Sequence, residues 1–450
     1  MKSCVIAVFF LTTICQAADD ESARLRKVAK AIENGDLEML TELNGIHSEK
    51  AARLVFDAIS NRKVESEIKS RLAEIVADWP QTAPGRKTLI ERGAKNPNCS
   101  DEELMFISEI GLPELRSVLW SQIEIPKGKS SKSRQPHRVG MAIRGLGHFE
   151  DNPESVVTHI ASLLAEDEFH LIRSSAAEAL GGMRNRKAVP ALIQHIEDES
   201  IGFLVGRSLY RLTGMHFDQD PAQQWADWLV SAGDQFEIKA LTVGDFDGFL
   251  KMQRLVKPED DPVMNMNTFY GLDIRGKGLL FILDVSGSMS AISRIEKLRT
   301  QMENILIVLE SRSEKTRFDI VTFGATVDSC FRRGVMSNTV ESRKVASRFI
   351  KGLNADGGTP MIEALTYAQE KILPEGNIDT IFFLSDGAPG DGTPEMVLEL
   401  TRQIHQRYRI RFNTVSIGEL VPRALGEATL LQKMATLTEG IFTETDEKNR

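Results

Sequence analysis

Disulfide staples, late hydrophobic runs and an excess of basic charge are all missing from this sequence. Four cysteines in 450 residues exclude a disulfide-built scaffold. No run of eighteen apolar residues follows the N-terminus, so nothing there reads as a membrane-spanning helix. Lys and Arg total 55 against 64 for Asp and Glu, a net charge of −9. The charge that neutralises phosphates is therefore lacking overall, and nucleic acid is not an expected partner. Enzyme signatures are equally scarce. No H-E-x-x-H, G-x-S-x-G or C-x-x-C occurs. Gly271 to Lys277 fits G-x-x-x-x-G-K, but Gly278 replaces the required Ser or Thr and a strand pattern follows, which breaks the phosphate-loop mechanism. Asp284 as a phosphorylated nucleophile lacks its second acidic residue, because Ser286 stands two positions on.

What is present is ordinary globular composition, 42% hydrophobic and 26% charged, in a chain long enough for two to four domains. Lys2 precedes the short apolar run Cys4–Leu11, and Cys15 and Ala17 offer small residues at a cut site. This is the pattern of a secretory signal peptide spanning 1–17. Cleavage leaves Cys99 and Cys330 as the only cysteines and takes the net charge to −10. In an oxidising compartment the two could pair; their places in different domains favour two separate thiols at least as much. The expected destination is export, to the periplasm, cell envelope or extracellular space.

From Ala18 onward apolar residues recur at helical spacing, as in Leu25, Val28, Ala29 and Ile32. Residues 18–138 read as a helical region of degenerate repeats, ending in a basic loop at 126–138. Lys127, Lys129, Lys132, Arg134, His137 and Arg138 lie there among glycine and serines, and no aromatic interleaves them, so a solvated loop is expected. Residues 139–233 repeat more clearly. Leu180-Gly181 lies 34 positions after Leu146-Gly147, each followed by a proline and an apolar set. That period signals a helical solenoid. Ile172–Gly181 with Ala188–Ile193 resembles a HEAT-type repeat, its alanines allowing close helix packing and Pro190 pre-setting a first turn. His148, His159, His170 and His195 are spread through this region and read as surface or packing residues. Residues 234–276 read as a linker that ends by packing on the next domain.

The last third, 277–450, alternates short apolar runs with helical segments, the pattern of a doubly wound α/β sheet. Strands are expected at Gly278–Leu283, Phe318–Phe323, Thr380–Leu384 and Phe412–Ile417. Ligands of such sheets bind beyond the carboxyl ends of the strands. There the first strand runs into Asp284-Val285-Ser286-Gly287-Ser288, a loop reads Asp356-Gly357-Gly358-Thr359-Pro360, and a third segment reads Ser385-Asp386-Gly387. Together these resemble the metal-ion-dependent adhesion site of von Willebrand factor type A domains, with Asp284, Ser286, Ser288, Thr359 and Asp386 at the five family positions.

The resemblance implies a divalent cation, Mg2+ with Mn2+ or Ca2+ as alternatives, held by three hydroxyls and two carboxylates. Hard cations of this kind take oxygen ligands, about six in octahedral array for Mg2+. Few direct carboxylates leave the ion electrophilic, with one position open to an acidic residue of a protein partner. The expected architecture is thus multidomain, an N-terminal α-solenoid of HEAT-like helical repeats and a C-terminal Rossmann-like type A domain. The expected function is an exported, non-enzymatic adaptor whose solenoid offers a surface to a second protein. The competing class is an Mg2+-dependent hydrolase or the regulatory subunit of an envelope enzyme complex. A third reading is a structural envelope protein attached through the basic loop.

Overall fold

The computed structural model describes residues 20–61, 63–95, 99–124, 135–165, 169–217, 221–233, 236–239, 268–332, 334–417 and 428–445. The expected leader, the lysine-rich part of the basic loop and most of the expected linker lie outside them. Two compact units divide the chain, one of residues 1–133 with 141–149, the other of 134–140 with 150–450.

The first unit is helical. It contains α1 (20–34), α2 (Glu49–Ser60), α3 (Ser66–Ala77), α4 (Pro84–Lys95), α5 (Asp101–Ile110) and α6 (Arg116–Ile123). Local chemistry sets the helix ends. Ser48 accepts the Ala51 amide at the start of α2, and Ser100 and Glu103 exchange both bonds of a capping box on α5. Apolar faces such as Val55, Phe56 and Ile59 on α2 and Leu104, Phe106 and Ile107 on α5 are buried. Helix α7 (Pro136–Leu146) corrects one expectation. Pro136, His137 and Arg138 open this helix rather than close the basic loop, because proline at a first helical position has no amide to lose.

The second unit begins with the repeat helices α8 (Glu154–Ser162), α9 (His170–Gly182), α10 (Ala188–Ile193), α11 (Gly202–Thr213) and α12 (Pro221–Ala232). Small residues let α9 and α11 approach closely. A side chain on Gly181 would meet the Ser208 hydroxyl at 2.7 Å, and that hydroxyl donates to the Ala177 carbonyl at 2.8 Å. Among the described residues no helix is long and apolar enough to cross a membrane.

The α/β domain follows in the same unit. A hairpin of β1 (Thr268–Phe269) and β2 (Leu272–Asp273) leads to β3 (Gly278–Asp284), β4 (Arg317–Phe323), β5 (Val327–Ser329), β6 (Met336–Ser337), β7 (Thr380–Ser385), β8 (Arg411–Ile417) and β9 (Phe442–Thr445). Sheet order is β5-β4-β3-β7-β8-β9, with β6 also on β4. β3, β4, β7, β8 and β9 pair in parallel, and β5 and β6 are short antiparallel additions to β4. Every residue of β3 is buried, as a parallel strand covered on both faces requires. Leu279, Phe281 and Leu283 face a core with α13 (Arg294–Glu310) and α14 (Val340–Lys351). Leu280 and Ile282 face the opposite core with α15 (Met361–Tyr367), α16 (Pro394–Tyr408) and α17 (Leu430–Leu437). Leu171 of α9 is part of that second core, and its amide donates to the Gly376 carbonyl, so the repeat helices and the sheet share packing.

One core acid sets a pH dependence. Asp319 on β4 is fully buried and accepts from the Ile320 and Phe331 amides and the Ser329 hydroxyl. Burial pushes its carboxyl up to about 7. A carboxyl raised on folding gives stability that is present below its unfolded value and is lost as pH rises through the folded one. The chain is expected to lose stability between about pH 4 and 7 on this account, by an amount that Asp319→Asn removes. Thermal unfolding across that window checks it; parallel wild-type and Asp319→Asn curves are the adverse result.

Candidate metal centre

The centre is built where parallel strands end. In register, Leu283 of β3 lies opposite Leu384 of β7, so Asp284 and Ser385 leave the sheet side by side. The Ser385 hydroxyl donates to Asp284 Oδ2 at 2.6 Å, and the Ser286 amide donates to Oδ1 at 2.8 Å. Both carboxylate oxygens are thereby pinned. Burial raises the Asp284 carboxyl, opposed by these hydrogen bonds and reinforced by the charge of Asp386. The Ser286 and Ser288 hydroxyls are 3.0 Å apart, and Ser288 donates to Asp386 Oδ1 at 2.8 Å. A continuous chain therefore runs Asp284–Ser286–Ser288–Asp386. Asp284, Ser286 and Asp386 are buried, while Ser288 is exposed.

The third segment is held beside this chain by backbone. The Gly287 amide donates to the Gly357 carbonyl at 3.0 Å, and the Asp356 amide to that of Val285 at 2.8 Å. Gly357 has φ +78°, and a Cβ there would lie 2.2 Å from the Ala325 nitrogen, so only glycine fits this turn. Thr359 accepts from the Met361 and Gly390 amides through its carbonyl. Its half-buried hydroxyl makes no hydrogen bond among the described residues. Four of the five expected residues are thus joined directly, and the fifth stands on the adjoining loop.

Sequence reasoning missed Arg294. At the first position of α13, its Nη1 donates to Asp386 Oδ2 at 2.7 Å, with side chains 5% and 0% exposed. Two carboxylates and one guanidinium leave this cluster a net negative charge. The side chains of Asp284, Ser286, Ser288 and Asp386 offer only oxygen as a ligand atom, and no group of three or more His, Cys, Asp and Glu residues suited to a metal exists among the described residues. Such a set, hydroxyl-rich with few carboxylates, suits a hard divalent cation rather than zinc held by nitrogen or sulfur.

The other expected positions fall elsewhere. Lys277 stands just before β3 with its ammonium 3.1 Å from Asp198, which ends the phosphate-loop resemblance. Cys99 and Cys330 form no disulfide. His170, expected at a surface or in packing, is buried with neither ring nitrogen hydrogen-bonded.

Comparison with known proteins agrees with this architecture. Residues 277–443 match the family model of the von Willebrand factor type A domain, and 172–198 that of the PBS lyase HEAT-like repeat. The chain carries a type A domain behind HEAT-like helices. It is similar to human inter-alpha-trypsin inhibitor heavy chain H4, 29% identical over 31% of this chain and 16% of the relative. A von Willebrand factor A domain-containing protein of Dictyostelium discoideum is 31% identical over 26% of this chain and 13% of its own length. These matches span about a sixth or less of the curated relatives. Among solved structures, von Willebrand factor type A from Catenulispora acidiphila aligns at TM-score 0.33 and 20% identity, over 38% of this chain and 39% of that one.

Proposed function

We propose that the chain is an exported, non-enzymatic adaptor that binds a protein ligand through a divalent cation on its type A domain. Asp284, Ser286, Ser288, Thr359 and Asp386 would hold the ion, Mg2+ in the first instance with Mn2+ or Ca2+ as substitutes. When bound, the ion supplies a Lewis-acidic point at the surface, to which a partner's Asp or Glu carboxylate adds a ligand. The HEAT-like helices offer a second protein-binding surface.

The single observation that carries the reading is the hydrogen-bonded chain Asp284–Ser286–Ser288–Asp386 at the carboxyl edge of β3 and β7. This chain's residues do the positioning. Ser385 and the Ser286 amide fix Asp284, Ser288 presents its hydroxyl at the exposed rim, and the glycine turn at Gly357 brings the Thr359 loop alongside. That relatives include inter-alpha-trypsin inhibitor heavy chains is in keeping with interaction as the role.

Calorimetric titration of Mg2+ or Mn2+ into metal-free protein tests the cation. Saturable binding is expected, with Asp284→Ala weakening it by about tenfold or more. Unsaturable heats, or equal affinity in the variant, would sink the metal reading. Recovery of extract proteins with Mg2+ but not with chelator then tests the adaptor role.

A further inference from the structure

The opposite, amino-terminal edge of the same sheet carries a second site. There α9 and α11 of the repeats meet the residues that precede or begin β7, β8 and β9, enclosing a cleft of about 230 Å³. The wall is an ordered set of ion pairs and hydrogen bonds. Arg409 pairs with Glu178 at 2.9 Å, and Arg207 pairs with Glu439. Asp379 is filled by neutral donors, namely the Lys277 and Gly278 amides and the Ser200 and Thr380 hydroxyls, all within 2.9 Å.

Two groups in the lining are left over. The Arg411 guanidinium lies under the Phe203 ring, 5.4 Å from its centroid, and has no hydrogen-bond or ion-pair partner among the described residues. His170 is 8% exposed, and neither ring nitrogen has a partner. Burial lowers the His170 imidazole to about 4, so at neutral pH it offers one N–H and one lone pair. Arginine cannot shed its charge, and a half-buried guanidinium without an acceptor forgoes its strongest contacts. The Asp379 and Glu439 carboxylates act on the Arg411 charge from across the cleft without a hydrogen bond to it, so its N–H groups stay open to an acceptor. The cleft holds several water volumes at roughly 30 Å³ each, enough for a tetrahedral oxyanion.

We propose that this cleft binds a small oxyanion of the phosphate or sulfate class, gripped by the Arg411 fork and hydrogen-bonded to His170. The site joins the repeats to the sheet, so an occupant would fasten α9 and α11 to the amino edge. It is independent of the cation at the carboxyl edge.

Titration of inorganic phosphate, sulfate and acetate in parallel, into full-length protein dialysed free of divalent cations, tests it by calorimetry and thermal shift, with sodium chloride at matched ionic strength. Saturable binding of phosphate or sulfate is expected, with a rise in Tm beyond the chloride control. Arg411→Gln should weaken it about tenfold or more and His170→Gln by less, in line with loss of charge-assisted and neutral bonds respectively. Asp284→Ala should leave it unchanged. Should Arg411→Gln lose the native circular dichroism spectrum, Arg411→Lys, which keeps the charge without the fork, carries the same tenfold expectation. No saturable response in the wild type overturns the proposal, as does wild-type affinity in the folded Arg411 variant. A response to acetate alone overturns the phosphate or sulfate assignment.

Discussion

Asp198→Ala is expected to cost about 3–5 kcal/mol, the range for stranding one member of a buried ion pair. Asp198 Oδ2 accepts from Arg173 Nη2 at 2.7 Å and Oδ1 from the Ser200 and Ile201 amides at 2.9 and 3.2 Å. Side chains of the pair are 3% and 7% exposed. Lys277 also reaches Asp198 at 3.1 Å but is 37% exposed, so screening leaves it a minor part. Arg173 is the reason for the size of the effect. Its Nε stays bound to the Leu164 carbonyl, and without Asp198 its charge has nowhere to go. Burial works against the Asp198 charge, yet the Arg173 hydrogen bond holds the carboxyl well below its usual range. A carboxyl lowered on folding gives stability that is present above its unfolded value and lost as pH falls through the folded one. The wild type should therefore lose this contribution below about pH 4, and Asp198→Ala should lack it at every pH. Asp198→Asn keeps acceptors for the two amides and should fall between. Denaturant unfolding followed by circular dichroism reads the loss. A difference under about 1 kcal/mol would show that the pair's attraction barely exceeds its desolvation.

The parts of the fold that could be read from residues alone are those where one pattern dominates. β3, β4, β7 and β8 are continuous apolar runs, so each of these strands was legible within a residue or two. β5, β6 and β9 were not. They are two to four residues long, and sequences such as Val327-Asp328-Ser329 and Phe442-Thr443-Glu444-Thr445 earn their pairing from neighbouring strands rather than from hydrophobicity. The hairpin of β1 and β2 lay inside the expected linker for the same reason, although Phe269 and Leu272 are core residues. At the centre, the two acids and three hydroxyls stood at positions with a known order. Arg294 carried no such mark, because its partner is 92 positions away and a lone arginine at a helix start reads as a solvated charge. His170 and Arg411 were hidden likewise, since only the packing of α9 and α11 on the sheet edge brings them together. The basic run concealed Pro136, whose place at the head of α7 was the one local signal that the loop had ended.

Arg294→Met should lower stability by about 3–5 kcal/mol in metal-free buffer, and Mg2+ should restore a large share of it. The substitution keeps much of the side chain's length and apolar stem while removing the charge. Asp386 is then buried with the Ser288 hydroxyl still donating to it, one hydroxyl chain away from a second carboxylate, Asp284. In the wild type the guanidinium already supplies positive charge at Asp386, so a divalent cation has less repulsion left to relieve. In the variant the cation alone must do so. A ligand that binds only the folded chain stabilises it in proportion to the logarithm of its concentration over Kd, so a tighter site gives a larger shift in Tm. The Mg2+-induced shift should thus be larger in Arg294→Met than in the wild type. Arg294→Lys, which restores one point charge, should lie between them. Thermal unfolding of all three chains with chelator and with millimolar Mg2+ separates the cases. Equal Mg2+ shifts in all three would make Arg294–Asp386 a structural pair without bearing on the cation. No shift in any of them would count against cation binding itself.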